Sequence, residues 1–556
     1  MSALYAGSKS KTLAAMCLFA LFSLCLFAAP LARATVPEDG VKYKLRADGS
    51  SPGAFEVSLS FKLNKGDKVV LEPPLLDGTS AVGVTSGDVE FRIEPKPEYQ
   101  VEPVSEHSAD LRITANSEVE VEVPYRVSFQ AEKPLQSAGE APRNAKPILP
   151  IILSDLQVFK ASQVLICPRT ADTRSPIAND YKVEFTAGSG QTVLTPWEKP
   201  DGGYSFKVSG ETALLENYVA IGRMETLEKK YKDCEITVGF TSDHQGLTSE
   251  QRKKYVDDLT ALFGRISETM GPRSELPRLS ILVAGDVRYD LEGPAAEGLF
   301  SSVLTFNGAK SLRGTAAAAS AGSLFELWNS WVIVPADKGG GLWFQRGIPW
   351  FYSYRAAAET GLIGSDQAYS GFSQIYLDYV SDPMPTSASL ADTESPSLLA
   401  EKGAVLCASV AKRLADQTEG AKDIDWLLGE LAREFDHFQG VSYMMVDITE
   451  LLEGATGKSW DGFFDERLNG TKLIPPSEFS SSGLFGAENN GVGGKEFVVK
   501  GSGKSWLILL VAVLFLFMIP LIFSTYVRRS VKLDLSMPRI LPEDEEESEQ
   551  EEKEED

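Results

Sequence analysis

Histidine is almost absent: His107, His244 and His437 are the three in a chain of 556 residues. No H-E-x-x-H run occurs, which excludes a metal helix that carries two histidines one turn apart. Cysteine is scarce as well, and two of the five, Cys17 and Cys25, fall in the first 34 residues. The others, Cys167, Cys234 and Cys407, form no CxxC pair, which excludes zinc ribbons and dithiol redox motifs. They allow a Cys167–Cys234 disulfide or three buried free thiols. Basic residues are outnumbered, 54 Lys and Arg against 78 Asp and Glu, for a net charge of -24. A surface of that sign repels phosphate, so nucleic acid is excluded as the main partner. The chain also lacks a G-x-S-x-G nucleophile elbow and a G-x-x-x-x-G-K-[ST] phosphate loop, and the glycines at 339–341 read as a loop.

Apolar residues, by contrast, are plentiful. At 43% hydrophobic and 10% aromatic, the chain can bury more than one substantial core, and its length points to two to four domains. At 1–34, Lys9 and Lys11 precede an apolar stretch that closes on Ala32-Arg33-Ala34, the layout of a cleavable secretory signal. At 506–526 an uncharged run is long enough to cross the ~30 Å hydrocarbon core of a bilayer as a helix. Arg528, Arg529 and Lys532 follow at once, so the positive-inside tendency leaves the C-terminus cytoplasmic and the large domain outside. The final stretch, EDEEESEQEEKEED, has nothing apolar to bury and repels itself. As part of a cytoplasmic tail at 527–556 it serves solubility or docks a basic cytosolic partner.

Between the ends the pattern changes character. FEVSLSFKL and VEVEVPYRVSF alternate apolar and polar residues, the signature of strands with one face on a core. Residues 35–230 therefore read as an antiparallel β-sandwich. Downstream, Thr248 and Gln251 form a capping-box pair ahead of Tyr255, Leu259, Leu262, Phe263 and Ile266 at helical spacing. LPRLSILVAG reads as a strand, but helical periods dominate from Ala316 onward, and a Ser/Gly-rich linker occupies 481–505. The fold class is α+β and multidomain.

The helical region carries a family resemblance. EKGAVLCASVAKRLADQTEG, DIDWLLGELAREF and FFDERLNGTKLIP, together with LWNSWVIVP and LWFQRGIPWFYSY in the same order, resemble the glycyl aminopeptidase family of gluzincin metallopeptidases over residues 231–480. The resemblance implies a mainly helical, thermolysin-like domain after the β domain. It places the two zinc histidines of that family at Gly322 and Glu326, the general-base glutamate at Ser323, and the third ligand at Arg346. Its oxyanion-binding tyrosine falls at Ala400, and the acid of its substrate-docking stretch at Phe300. None of these residues can do the original chemistry, so the resemblance implies a catalytically degenerate member with no metal and no other cofactor. Glu326 and Arg346 are then expected to form an ion pair where the metal sat.

Two alternatives stand beside that expectation. Glu434, Asp436 and His437 with Glu326 offer the makings of a rebuilt metal site in a membrane-tethered peptidase, although adjacent residues diverge by about 100° on a helix and chelate poorly. The other alternative is a structural subunit of an envelope complex in which the groove is filled. In the degenerate reading the protein is single-pass and membrane-anchored, and binds a peptide or protein segment in the former substrate groove. Phe300, Trp343, Phe344, Trp350, Phe351 and Tyr352 are the candidate contacts. The competing reading of those aromatics, and of GSLFELWNSW at 322–331, is plain core packing.

Overall fold

The computed structural model describes residues 40–479, apart from 48–52, 75–83, 106–108, 132–149, 153–154, 201, 242–246, 272–275, 285–292, 306–310, 337–340, 382–388 and 394. The expected signal at 1–34, linker at 481–505, membrane span at 506–526 and tail at 527–556 lie outside the described residues. Among the described residues, no helix is long and apolar enough to cross a membrane.

The first half is built from strands β1 (Val41–Ala47), β2 (Ala54–Leu63), β3 (Lys68–Leu71), β4 (Val84–Phe91), β5 (Tyr99–Pro103), β6 (Leu111–Ala115), β7 (Val119–Ala131), β8 (Ile151–Ile152), β9 (Leu156–Lys160), β10 (Arg169–Thr170), β11 (Asp180–Thr186), β12 (Thr192–Leu194), β13 (Ser205–Ser209) and β14 (Tyr218–Gly222), with a short helix α1 (Glu211–Leu215). The two alternating runs become neighbours. Phe55, Val57, Leu59 and Phe61 of β2 stand opposite Val127, Tyr125, Val123 and Val121 of β7, and all eight are buried. Period-2 side chains on paired strands share a face, so matching the apolar sets fixes this register.

The six-stranded sheet runs β13-β11-β1-β2-β7-β4. One apolar core joins its inner face to the sheet β10-β3-β6-β5, through Val69, Leu71 and Ile113, and to the sheet β12-β14-β9-β8, through Phe159 and Val219. The expectation of a purely antiparallel domain is corrected here, because β1 pairs β11 in parallel. Alternation reports which face is buried and is silent on strand direction, and the long chain between these two strands permits the crossover.

The second half opens at β15 (Met224–Tyr231), ahead of the division at 230/231 read from the sequence, because β15 pairs with β16 (Cys234–Thr241). With β17 (Arg278–Ala284), β18 (Gly293–Glu297) and β19 (Ser301–Thr305) they form a sheet of order β15-β16-β17-β19-β18. Its centre is parallel and both of its edges are antiparallel. A second apolar cluster, with Leu156, Val158 and Ala220 from the first half and Leu282, Ala284 and Val303 from the second, joins the two.

The helices follow: α2 (Ser249–Met270), α3 (Thr315–Asn329), α4 (Leu342–Glu359), α5 (Ser365–Ser381), α6 (Pro396–Gln417), α7 (Ile424–Glu434), α8 (Met445–Thr456) and α9 (Asp461–Phe464). The capping box at the start of α2 forms as spelled: Thr248 Oγ1 accepts from the Gln251 N–H and Gln251 Oε1 accepts from the Thr248 N–H. Cys167, Cys234 and Cys407 are free and buried, so the Cys167–Cys234 bond does not form. Burial pushes the Cys167 and Cys234 thiols up to about 12, which leaves them unreactive near neutral pH.

Candidate ligand groove

The first half of α3 is a run of small side chains, including Ala317, Ala321 and Gly322, so α4 can approach it closely. A Cβ at Gly322 would stand 3.5 Å from Ser353 Cβ. One turn on, the Phe325 and Tyr352 rings lie 4.9 Å apart, and at the end of α3 the Asn329 Nδ2 donates to the Gln345 carbonyl at 2.8 Å. The two helices therefore cross antiparallel, with Gly322 set against Ser353 and Pro349 of α4.

α4 also touches α6, at a pair of glycines. A Cβ on Gly347 would fall 2.2 Å from the Gly403 carbonyl carbon, and one on Gly403 would fall 2.5 Å from the Trp343 oxygen. Only hydrogen fits at both, so the backbones themselves are in contact. At about 100° per residue, Gln345, Pro349 and Tyr352 face α3 while Trp343 and Gly347 face α6. Arg346 falls on the strip between the two, with Trp350 one turn further along. Both are exposed, Trp350 to 37%. The strip of α4 between its α3-facing and α6-facing sides is therefore open to solvent at Arg346 and Trp350. Ala400 lies one turn before Gly403 on the α6 wall.

The expected Glu326–Arg346 ion pair is absent. Glu326 accepts instead from Asn329 Nδ2 at 3.0 Å and Ser330 Oγ at 2.6 Å, while Arg346 meets no partner among the described residues. The cause is helical phase. Donors three and four residues on in its own chain reach the carboxylate directly, and the α4 residue turned toward α3 is Gln345. The sequence reading missed Gln345, Asn329 and Ser330. The spacing of Asn329 and Ser330 from Glu326 was a usable signal for two of them. Ser323 is buried and shares a 2.7 Å hydroxyl contact with Ser302 of β19.

Of the six candidate contacts, four are core. Trp343, Phe344, Phe351 and Tyr352 are all but fully buried and unavailable to a ligand. Trp343 is covered by Phe464 and donates from Nε1 to the Met445 sulfur, Phe351 packs on Phe372, and the Tyr352 hydroxyl donates to Thr269. A helix wedged between α3, α5 and α6 has little surface left, so most of its aromatics turn inward. Phe300 is half-buried in the turn between β18 and β19, where its N–H donates to Asn217 Oδ1 at 2.7 Å. Trp350 alone of the six is exposed.

The rebuilt metal site is also not assembled. Arg433 donates to Glu434, Asp436 caps a 3-10 turn at Phe438, and His437 Nδ1 is 2.9 Å from Ser442 Oγ. Among the described residues, no group of three or more His, Cys, Asp or Glu is placed to hold a metal.

A second polar cluster lies at the far end of α4. Arg355 meets Glu359 at 3.1 Å, Asp423 at 2.6 Å and Asp425 at 2.9 Å, and Arg265 of α2 meets Glu359 and Asp425, each at 2.5 Å. Burial on its own would lower the Arg355 pKa, but the three carboxylates outweigh it and the net shift is upward. This network ties α2, α4 and α7 together.

No protein-family model matches the chain, and no curated protein matches it. Solved structures do. An aminopeptidase N family protein from Idiomarina loihiensis superposes with a TM-score of 0.60 at 13% identity, over 79% of this chain and 77% of that one. An M1 zinc metallopeptidase from Deinococcus radiodurans gives a TM-score of 0.46 at 13% identity, over 79% and 96%. The chain therefore has a gluzincin peptidase-like fold, with a β-sheet first half and a largely helical second half.

The family resemblance read from the sequence implies zinc, which takes imidazole, thiolate or carboxylate donors in a roughly tetrahedral set. The crossing of α3 and α4 offers one carboxylate, already engaged by two donors, with glycine, serine, glutamine and arginine at the neighbouring positions. This donor set does not fit zinc.

Proposed function

We propose that the protein is a catalytically silent, peptidase-like binding component of the cell envelope, which holds a peptide or protein segment in the groove above α4. One observation carries this reading. At the α3–α4 crossing Glu326 is held by Asn329 and Ser330, Gln345 faces it from α4, and Arg346 has no partner among the described residues. A carboxylate so satisfied, with no imidazole or thiolate beside it, is a poor metal ligand. The proposal includes a single membrane span at 506–526, with the large domain outside and the acidic tail in the cytoplasm, where the tail is free to dock a basic partner.

Metal analysis of the purified full-length chain, run alongside a peptide-cleavage screen, tests the reading. Zinc should be well below one per chain, chelator should leave the melting temperature unchanged, and no peptide should be cut. Zinc near one per chain, or hydrolysis abolished by Glu326→Gln, overturns it in favour of a rebuilt peptidase. Protease added to spheroplasts should digest the large domain and spare the tail, and the reverse pattern overturns the orientation.

A further inference from the structure

Six large apolar side chains are exposed among the described residues, and four of them, Phe438, Val441, Met444 and Val446, fall in the segment FQGVSYMMV at 438–446. One exposed valine needs no explanation, whereas a short segment that exposes four apolar side chains does. The segment, which joins α7 to the first turn of α8, is ordered. The His437 N–H donates to the Val332 carbonyl at 3.0 Å, the Tyr443 N–H to the Val334 carbonyl at 3.2 Å and the Ala336 N–H to the Tyr443 carbonyl at 2.7 Å. These bonds pin it to the chain that follows α3. The flanking carboxylates are spent on its backbone: Asp436 accepts from the Phe438 N–H at 2.9 Å, and Asp447 from the Met444 N–H at 2.6 Å. No residue from 438 to 446 carries a charge. Such a surface has nothing to offer an ionic partner and gains only by leaving water for an apolar one.

We infer that the segment 438–446 seats in the interfacial layer of the bilayer and holds the large domain against the membrane. The inference rests on the single-pass reading of the chain proposed above. What selects the bilayer is where the described chain ends. Met445 follows Met444 and its sulfur accepts from Trp343 Nε1 at 3.4 Å, the Trp343 ring lies 6.0 Å from that of Phe464, and Arg467, three residues on, binds Glu478. A few side chains therefore separate the apolar segment from Phe479, the last described residue. Only 26 residues lead from there to Trp506, where the uncharged run begins, and a Ser/Gly-rich chain of that length has an average extension of about 25 to 30 Å. A tethered surface meets the segment at high effective concentration, whereas a free protein must first give up its translational and rotational freedom. The acids around the segment, Glu434, Glu450 and Glu453, repel anionic headgroups, so the contact is apolar and suits zwitterionic lipid.

The test uses the full-length chain reconstituted into phosphatidylcholine vesicles, with Val441→Cys labelled by bimane and, separately, Asn64→Cys labelled in the turn after β2. Cys167, Cys234 and Cys407 are buried and do not compete for the label. Lipid with a nitroxide just below the headgroup should quench the label at 441 at least about twofold, as insertion by about 5 to 10 Å requires. A nitroxide at the end of the acyl chain should quench it less, and the label at 64 should respond to neither. Added anionic lipid should not strengthen the quenching, and higher ionic strength should not weaken it. Met444→Asp combined with Val446→Asp should abolish it without moving the thermal midpoint, because both side chains are exposed. Vesicle flotation separates the two readings. A chain that does not float with the vesicles overturns the membrane span and the inference with it. A chain that floats without quenching at 441, or with equal quenching at 441 and 64, overturns the inference and leaves the span standing. Quenching that survives the double variant removes the segment as the point of contact.

Discussion

Arg346 and Arg355 stand on the same helix, α4, and differ in everything except side-chain chemistry. Arg355 is 8% exposed and is enclosed by Glu359, Asp423 and Asp425, whereas Arg346 is open to solvent and has no partner among the described residues. A guanidinium taken out of water must be compensated by carboxylates at hydrogen-bond distance, and the helices that supply them become bound to one another. A guanidinium left in water ties nothing down, so removing it leaves the fold alone and alters only what it touches in a ligand. The difference separates a staple from a surface group that the fold does not depend on.

Substitutions can break or sharpen that contrast. Arg355→Ala should have the largest effect, about 3 to 5 kcal/mol of lost stability in denaturant unfolding, because it strands the part-buried carboxylates of Glu359 on α4 and of Asp423 and Asp425 at the start of α7. A loss below about 1 kcal/mol would show that the network is surface-like. Phe464→Ala should follow at about 3 kcal/mol or more, since its ring is buried against Trp343, Trp460 and Phe463 and closes the end of the domain over α4. Gly347→Ala should cost about 1 to 3 kcal/mol, because the added methyl meets the α6 backbone and not a side chain that can swing aside. It should also push α4 away from α6, so any peptide binding above α4 should fall together with stability. Arg346→Ala should change stability by no more than about 0.5 kcal/mol, the range expected of an exposed residue without contacts. Early melting of this variant would mean that Arg346 has a structural partner after all, and would erase the distinction from Arg355.

The legible part of the site was its order along the chain. LWN and LWFQRG fall on two packed helices, α3 and α4, although α3 stops at Asn329 and does not run on to Trp331; aromatic and small residues at helical spacing report packing faces whether or not chemistry survives on them. Which α4 side chain faces α3 was not legible. Arg346 and Gln345 are adjacent, the helix turns by about 100° between them, and the chain between the end of α3 at Asn329 and the start of α4 at Leu342 makes the phase impossible to count from α3. The aromatics misled for a related reason. Trp343, Phe344, Trp350, Phe351 and Tyr352 look alike in sequence, and only the three helices packed around α4 decide that Trp350 alone stays exposed.

The sequence by itself determined which faces of β2 and β7 are apolar, where α2 is capped by Thr248 and Gln251, and that no histidine pair stands on α3. These depend on local periodicity and residue chemistry, which act over a few positions. Tertiary structure decided that β1 runs parallel to β11, that the three described cysteines stay apart, that Glu326 turns to Asn329 and Ser330, and that one arginine of α4 is buried among acids while the other stays free. Each of these depends on which distant segment arrives alongside, and a pattern confined to one segment carries no record of its neighbour's direction, distance or phase.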